Sequence, residues 1–201
     1  MRPLTIALAK GALFPEALAT LSKFGITLDH PFDSRRLSAS DSKHHIKVLQ
    51  IRSWDVPVYV AMGAADFGIV GQDVVYEQQA PVLHLWPLPF GHCELVVAAP
   101  VTSKNPIKAH VTVATKYPFL TQQFFQEKGI DIQLVKLYGA IEMAPATGLA
   151  DIITDLCVTG KTLKENGLKL LETVFKSQAL FIGNKTSFKT YYAQVKTWMQ
   201  A

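Results

Sequence analysis

The chain has little with which to brace itself covalently or around a metal. Its two cysteines, Cys93 and Cys157, are too few for a disulfide framework and lack the paired spacing of a metal site, so a reducing compartment fits best. The six histidines (His30, His44, His45, His84, His92 and His110) form no H-x-x-x-H or Cys/His pattern, which argues against a structural zinc. No apolar run approaches the length of a membrane span. The run Leu4 to Ala9 has the flavour of a secretory leader, but Lys10 and Gly11 interrupt it too early for the apolar core of one. Basic residues are scattered and form no long run. The densest group, Lys43 to Lys47, carries His44 and His45 without stacking aromatics, so it reads as a solvated loop and not as a nucleic-acid surface. A cytoplasmic protein that engages neither membrane nor nucleic acid is expected.

What is present is ample core material. Of 201 residues, 49% are hydrophobic and 18% charged, enough for one large domain or two small lobes and too apolar for disorder. The net charge of +4 tilts mildly towards anionic ligands.

The first unit reads strand, turn, helix. Thr5 to Ala9 is a buried strand, Lys10-Gly11 the turn, and residues 12–24 an amphipathic helix with Leu13, Ala17, Leu18, Leu21 and Phe24 at helical spacing. Gly25 closes it, and Ile26 to Leu28 begin another strand. A similar unit recurs: strand Val111 to Thr115, Lys116 at the turn, a helix from Tyr117 to Lys128, then strand Ile132 to Leu137. Gly63-Ala-Ala-Asp66 followed by Phe67 to Val70 is matched by Gly148-Leu-Ala-Asp151 followed by Ile152 to Thr154. Two matches in the same order point to two lobes of similar βαβ build. Leu85 to Val101, rich in proline and apolar residues, would cross between lobes; Ala179 to Gly183 reads as a strand and Phe188 to Met199 as a terminal helix. If that strand rejoins the first lobe, residues 1–90 and 178–201 form lobe I and residues 91–177 lobe II of an α/β molecule, joined by a two-segment hinge. Ligands of such folds lie where loops leave the carboxyl ends of parallel strands.

One such loop stands out. Asp151-Ile-Ile-Thr-Asp155-Leu-Cys-Val-Thr159-Gly160-Lys161-Thr162 runs from an apolar strand into a hydroxyl-glycine-lysine-hydroxyl turn. It reads as a polar strand-to-helix junction without a ligand, as a phosphate cradle of amides and hydroxyls, or as a nucleotide-hydrolysing P-loop. The last pattern, G-x-x-x-x-G-K-[ST], needs a leading glycine where this chain has Asp155. A carboxylate there repels phosphate and suits something else, such as sugar hydroxyls or a magnesium shell. Glu142, among small apolar residues, is a second acid that needs a partner.

Together with Ile6-Ala-Leu-Ala-Lys10-Gly11, Arg52-Ser-Trp-Asp55-Val-Pro57, Gly63 to Asp73 and Ala140-Ile-Glu142-Met-Ala-Pro, this loop resembles the short form of ATP phosphoribosyltransferase, over nearly the whole chain. The resemblance implies a two-lobed α/β fold similar to type II periplasmic binding proteins, and condensation of ATP with 5-phosphoribosyl 1-diphosphate, giving N1-(5-phosphoribosyl)-ATP and diphosphate with Mg²⁺, the first step of L-histidine biosynthesis. Carried over by position, Asp155, Thr159, Gly160, Lys161 and Thr162 would bind phosphoribosyl diphosphate. Glu142 and Asp155 would be the catalytic carboxylates. Lys10, Gly11, Arg52, Gly71 and Asp73 would face ATP or diphosphate. No protein metal ligands are implied, the Mg²⁺ arriving through substrate phosphates. The family usually continues Lys-Gly with arginine, where this chain has Ala12. Residues 184–201 leave no room for a C-terminal regulatory domain of the ~50 residues a domain needs, so a histidyl-tRNA-synthetase-like regulatory subunit in a hetero-oligomer is expected. The alternative is a non-catalytic small-molecule-binding module on the same two-lobed fold.

Overall fold

The computed structural model describes residues 2–33, 36–107 and 110–200. Its backbone divides into two units: Met1–Val75 with Gln79–Gly91 and Gln178–Ala201, and Tyr76–Gln78 with His92–Ser177.

The first unit is built on a six-stranded sheet. Its strands are β1 (Leu4–Ala9), β2 (Ser38–Asp41), β3 (Ile46–Ile51), β4 (Phe67–Gly71), β5 (Leu83–Pro87) and β11 (Ala179–Gly183), in the order β2-β3-β1-β4-β11-β5. β3, β1 and β4 run parallel, while β11 pairs antiparallel with both β4 and β5. β1, β4 and β11 are buried along their whole length, which is why they read as continuous apolar runs without alternation. One face packs under α1 (Phe14–Lys23) and α7 (Tyr192–Trp198) through Ile6, Leu8, Leu21, Phe67, Phe181 and Trp198. The other packs under α2 (Val56–Ala61) through Ala7, Ala9, Val56, Val60 and Val70.

The second unit has a five-stranded sheet of β6 (Cys93–Pro100), β7 (Val111–Thr115), β8 (Ile132–Lys136), β9 (Ile152–Cys157) and β10 (Leu168–Ser177), in the order β10-β6-β9-β7-β8. β8, β7 and β9 are parallel, and β6 and β10 antiparallel. Strand for strand this repeats β3-β1-β4-β11-β5 of the first sheet. Its helices are α4 (Pro118–Glu127), the short α5 (Lys161–Glu165) and a 3-10 turn, Ile141–Met143. Glu77, at the end of α3 (Gln72–Glu77), accepts the Phe119 and Leu120 amides at the start of α4, both at 2.9 Å.

The repeat reaches atomic detail. Gly63 and Gly148 both turn in the left-handed region, at φ 73° and 71°. Each leads to an acid that brackets a threonine of the first strand. The Asp66 amide donates to Thr5 O at 2.7 Å and Asp66 Oδ2 accepts the Thr5 amide at 2.8 Å. The Asp151 amide donates to Thr112 O, and Asp151 Oδ2 accepts the Thr112 amide, both at 2.9 Å. Asp66 is more than a turn residue. It is fully buried and also accepts from Arg2 Nη2 at 2.7 Å and Ser187 Oγ at 2.5 Å.

Two sequence expectations fail locally. Ile26 to Leu28 form no strand: the Ile26 amide is held by Leu21 O and the Thr27 amide by Asp41 Oδ2, leaving nothing for a ladder. The single terminal helix is two, α6 (Lys185–Thr190) and α7, separated at Tyr191 with φ −107°. α6 starts earlier than its apolar pattern because Asn184 Oδ1 accepts the Thr186 and Ser187 amides as an N-cap.

Candidate functional site

In the second unit, the carboxyl ends of the three parallel strands gather the charged groups. β7 ends at Thr115 and is followed by Lys116; β9 carries Asp155 and runs into Val158-Thr159-Gly160. Glu142 lies on the 3-10 turn that follows β8. Ala140, immediately before that turn, holds φ 49°, a conformation that costs a non-glycine residue free energy and fixes the direction of the turn.

Asp155 is half-buried and its Oδ1 accepts the Leu156 amide at 2.8 Å. Burial pushes its carboxyl above the ordinary range; the Leu156 hydrogen bond opposes this, the Glu142 charge adds to it, and Lys116 opposes it. Asp155, Glu142 and Lys116 therefore form one electrostatic group within the second unit.

The loop after β9 turns on Gly160, at φ 72° and ψ 2°, a conformation that an L side chain resists. The first α-helical bond of α5 runs from the Lys164 amide to Gly160 O at 3.2 Å, so the amides of Lys161, Thr162 and Leu163 precede it without intrahelical partners. The Thr159 hydroxyl lies 3.4 Å from the Lys161 amide. Thr159, Lys161 and Thr162 are exposed, while Leu163 plugs the loop into the core with Ile153 and Leu168. Exposed hydroxyls and a lysine on a glycine turn anchored from below are groups that can receive a phosphate-sized anion. One flank of the loop, Cys157 to Gly160, opens on a cavity of about 870 Å³ with Leu163, Lys164 and Leu168 in its wall. That volume suits a small-molecule ligand. Beneath the site, Thr154 Oγ1 is fully buried without a hydrogen-bond partner.

The first unit places the other expected residues at the carboxyl ends of its own parallel strands. Lys10 and Gly11 follow β1 and Arg52 follows β3; the Lys10 amide donates to Ile51 O at 2.7 Å, so the side chains of Lys10 and Arg52 leave adjacent strands. Both are exposed, and Gly11 holds φ 107°. The Arg52 carbonyl accepts the Asp55 amide at 2.9 Å, so the two residues are joined through the backbone. Gly71 ends β4 and Asp73 lies in the first turn of α3; both are buried, and the Asp73 carboxyl folds back over the Gly71 Cα. Among the described residues no cluster of three or more His, Cys, Asp or Glu is placed to hold a metal, and no helix is long and apolar enough to cross a membrane.

Lys116 is a charged residue that the sequence places at a strand-to-helix loop without a role of its own. Its neighbour across the sheet becomes visible only through the β7–β9 register, in which Thr115 pairs with Thr154.

Comparison with known proteins agrees with this geometry. Residues 52–201 match the family model described as HisG, ATP phosphoribosyltransferase. The ATP phosphoribosyltransferase of Caldanaerobacter subterraneus subsp. tengcongensis is 41% identical over 193 residues, covering 96% of this chain and 92% of the relative. A chain from the structure of the ATP phosphoribosyl transferase (HisG:HisZ) complex of Thermotoga maritima superposes with a TM-score of 0.85 at 29% identity, over 98% of this chain and 95% of that one. The alkanesulfonate-binding protein SsuA of Xanthomonas axonopodis pv. citri superposes with a TM-score of 0.62 at 14% identity, over 100% of this chain and 73% of that one, which shows a shared fold of the periplasmic-binding type.

Proposed function

Because the chain belongs to the ATP phosphoribosyltransferase family, which joins ATP to 5-phosphoribosyl 1-diphosphate to give N1-(5-phosphoribosyl)-ATP and diphosphate at the start of L-histidine biosynthesis, we propose how its own residues divide that reaction. Thr159, Gly160, Lys161 and Thr162 hold the 5-phosphate. Asp155 and Glu142 face the ribose. The observation that carries this reading is the pairing, within one unit, of an exposed hydroxyl-glycine-lysine turn with two acids that feel each other's charge.

The chemistry follows from that division. Adenine N1 already has a lone pair, and diphosphate is a good leaving group when its charge is screened. As the bond from ribose C1 to diphosphate breaks and the C1–N1 bond forms, positive charge develops on the sugar ring. Carboxylates fixed beside the ring favour that charge more than they favour the ground state. The glycine turn anchors the phosphate end, so the reacting carbon is presented in one orientation. Lys10, Gly11 and Arg52, with Gly71 and Asp73, are assigned to the ATP or diphosphate groups. Mg²⁺ belongs to the substrate here, bound to the hard phosphate oxygens it prefers. A regulatory subunit of the histidyl-tRNA-synthetase type is the proposed partner, as the Thermotoga maritima relative is found with HisZ. The proposed compartment is the cytoplasm.

The test is an ultraviolet assay for phosphoribosyl-ATP with both substrates and Mg²⁺, on the chain alone and with its regulatory partner. Absence of product in both conditions defeats the transferase reading. Ligand binding without turnover would point instead to a binding module on the same fold. The variant Asp155→Gly, which restores the P-loop spacing, is expected to lose transfer and gain no ATP hydrolysis. Appreciable hydrolysis would show that the loop had been misassigned.

A further inference from the structure

The internal repeat supplies a built-in control for the charged site. Asp66 stands to Thr5 as Asp151 stands to Thr112. Moving forward from these anchors, the side-by-side residues at the ends of β1 and β4 are Ala9 and Val70. The corresponding residues at the ends of β7 and β9 are Lys116 and Asp155. The registers agree, with Leu8 beside Ile69 in one sheet and Thr115 beside Thr154 in the other. In the first unit the position is plain core: Ala9 and Val70 are buried against Val56 and Val60. An apolar pair therefore serves the fold at this place. The second unit gives the same place to two half-buried residues of opposite charge, whose partial desolvation stability alone does not justify.

The surroundings fix Lys116. Thr115 Oγ1 accepts the Tyr117 amide at 2.9 Å, and Thr115 and Tyr117 are both buried. The lysine is thus clamped between two buried neighbours, and the register turns it to the face that carries Asp155. Other elements bring few competing charges to that acid. β6 places Val96 opposite it. Glu94, further along β6, is occupied by Lys176 at 3.7 Å and by Thr173 Oγ1 at 3.1 Å. On α5, exposed Lys161 lies 3.8 Å from Glu165. Glu142, from the 3-10 turn, is the like charge that remains.

We propose that Lys116 is a positioning residue for the transfer reaction: as counter-cation of the Asp155–Glu142 pair, it keeps Asp155 a carboxylate when the ribose arrives. This rests on the assignment of Asp155 to the ribose given above. Without Lys116, burial and Glu142 act on Asp155 with less opposition, so the acid takes up a proton at higher pH and stops favouring positive charge on the sugar.

The experiment measures kcat/KM for 5-phosphoribosyl 1-diphosphate against pH in the wild type, Lys116→Gln and Lys116→Arg. The expected result is a severalfold loss in Lys116→Gln on the acidic side that fades as pH rises, with Lys116→Arg close to wild type. An equal loss at every pH, or an acidic limb that does not move, overturns the proposal. A ¹³C carboxyl titration of Asp155 in the same folded variants tests the charge relation without turnover. Its midpoint should rise in Lys116→Gln and fall in Glu142→Gln; an unchanged midpoint in Lys116→Gln also overturns the proposal. Wild-type protein that yields no phosphoribosyl-ATP defeats the ribose assignment, whereas an active wild type with an unmoved midpoint defeats the Lys116 role alone.

Discussion

Substituting Gly71 by alanine is expected to destabilise the protein through one identifiable neighbour. A Cβ at position 71 would fall inside the van der Waals envelope of Asp73 Oδ1, 3.3 Å from Asp73 Cγ and 3.7 Å from Oδ2. These are its three nearest atoms beyond the chain neighbours, and any other lies no closer than 3.7 Å, at ordinary contact distance, so the conflict is with the Asp73 carboxyl. Asp73 is only 4% exposed, and its carboxyl must leave its place. Overpacking of this kind costs roughly 1–3 kcal/mol. Alanine restricts the unfolded chain and returns about 0.4–1 kcal/mol, since the backbone here is not left-handed. The net loss is about 1–2 kcal/mol, a fall in Tm of roughly 2–8 °C for a chain of this size. Asp73→Ala should be destabilising alone, by losing a buried polar group's contacts. In the double variant the new methyl occupies the space that the carboxyl vacated. The two losses should therefore fall short of their sum by about 1 kcal/mol, in the range of coupled neighbours. Thermal and denaturant melts of the four proteins measure this. Additivity within ~0.5 kcal/mol, or Gly71→Ala melting like wild type, would refute the placement of Asp73 over Gly71. If the double variant regains stability, its KM for ATP then reports any direct role of Asp73, separated from folding.

Gly160→Ala should lose about 1–2 kcal/mol from left-handed strain alone, because the nearest atom to its Cβ would be Cys157 Sγ at an ordinary 3.8 Å. Gly160→Asn should lose less, and KM for phosphoribosyl diphosphate should rise in the alanine variant; equal melts for all three would contradict the strain argument. Thr154→Val removes a buried hydroxyl that has no partner while keeping its shape, and should raise stability by about 1–3 kcal/mol; a lower Tm would indicate a bonded hydroxyl. Asp41 is buried, which by itself raises its carboxyl, but hydrogen bonds from the His44 ring and from the Thr27 and His44 amides outweigh this and hold it below 3.8. Its contribution is complete above pH 3.8 and is lost as pH falls through the lowered value, so the stability gap between wild type and Asp41→Asn should close in acid; a gap that widens there would reverse the sign.

The parts of this molecule legible in the sequence are those whose cause is local. Gly63 and Gly148 must turn left-handed, and the acids that follow each must reach back to a threonine, so the repeat shows as a pattern of residues. Gly160 and its hydroxyl neighbours declare their turn in the same way. The unread parts depend on partners distant in the chain. Residues 26–28 looked like a strand because Ile26 and Thr27 are β-branched and Leu28 is apolar, yet the Asp41 carboxylate accepts the Thr27 amide. β10 went unnamed because bulges between Leu170 and Glu172 and between Thr173 and Phe175 break the two-residue alternation. Lys116 needed the register of β7 on β9, which no spacing within either segment encodes.

The position of β11 has a consequence for how the chain is made. This strand lies between β4 and β5 and begins only at Ala179, and Asp66 waits for Ser187. During synthesis from the amino end, the sheet of the first unit lacks this internal strand until Ala179–Gly183 has emerged. The segment His92–Ser177, which carries the phosphate loop, is contiguous and ends before then. On the ribosome, the unit that carries Asp155 and Gly160 would thus have its strands available first, and the unit that started first would close last.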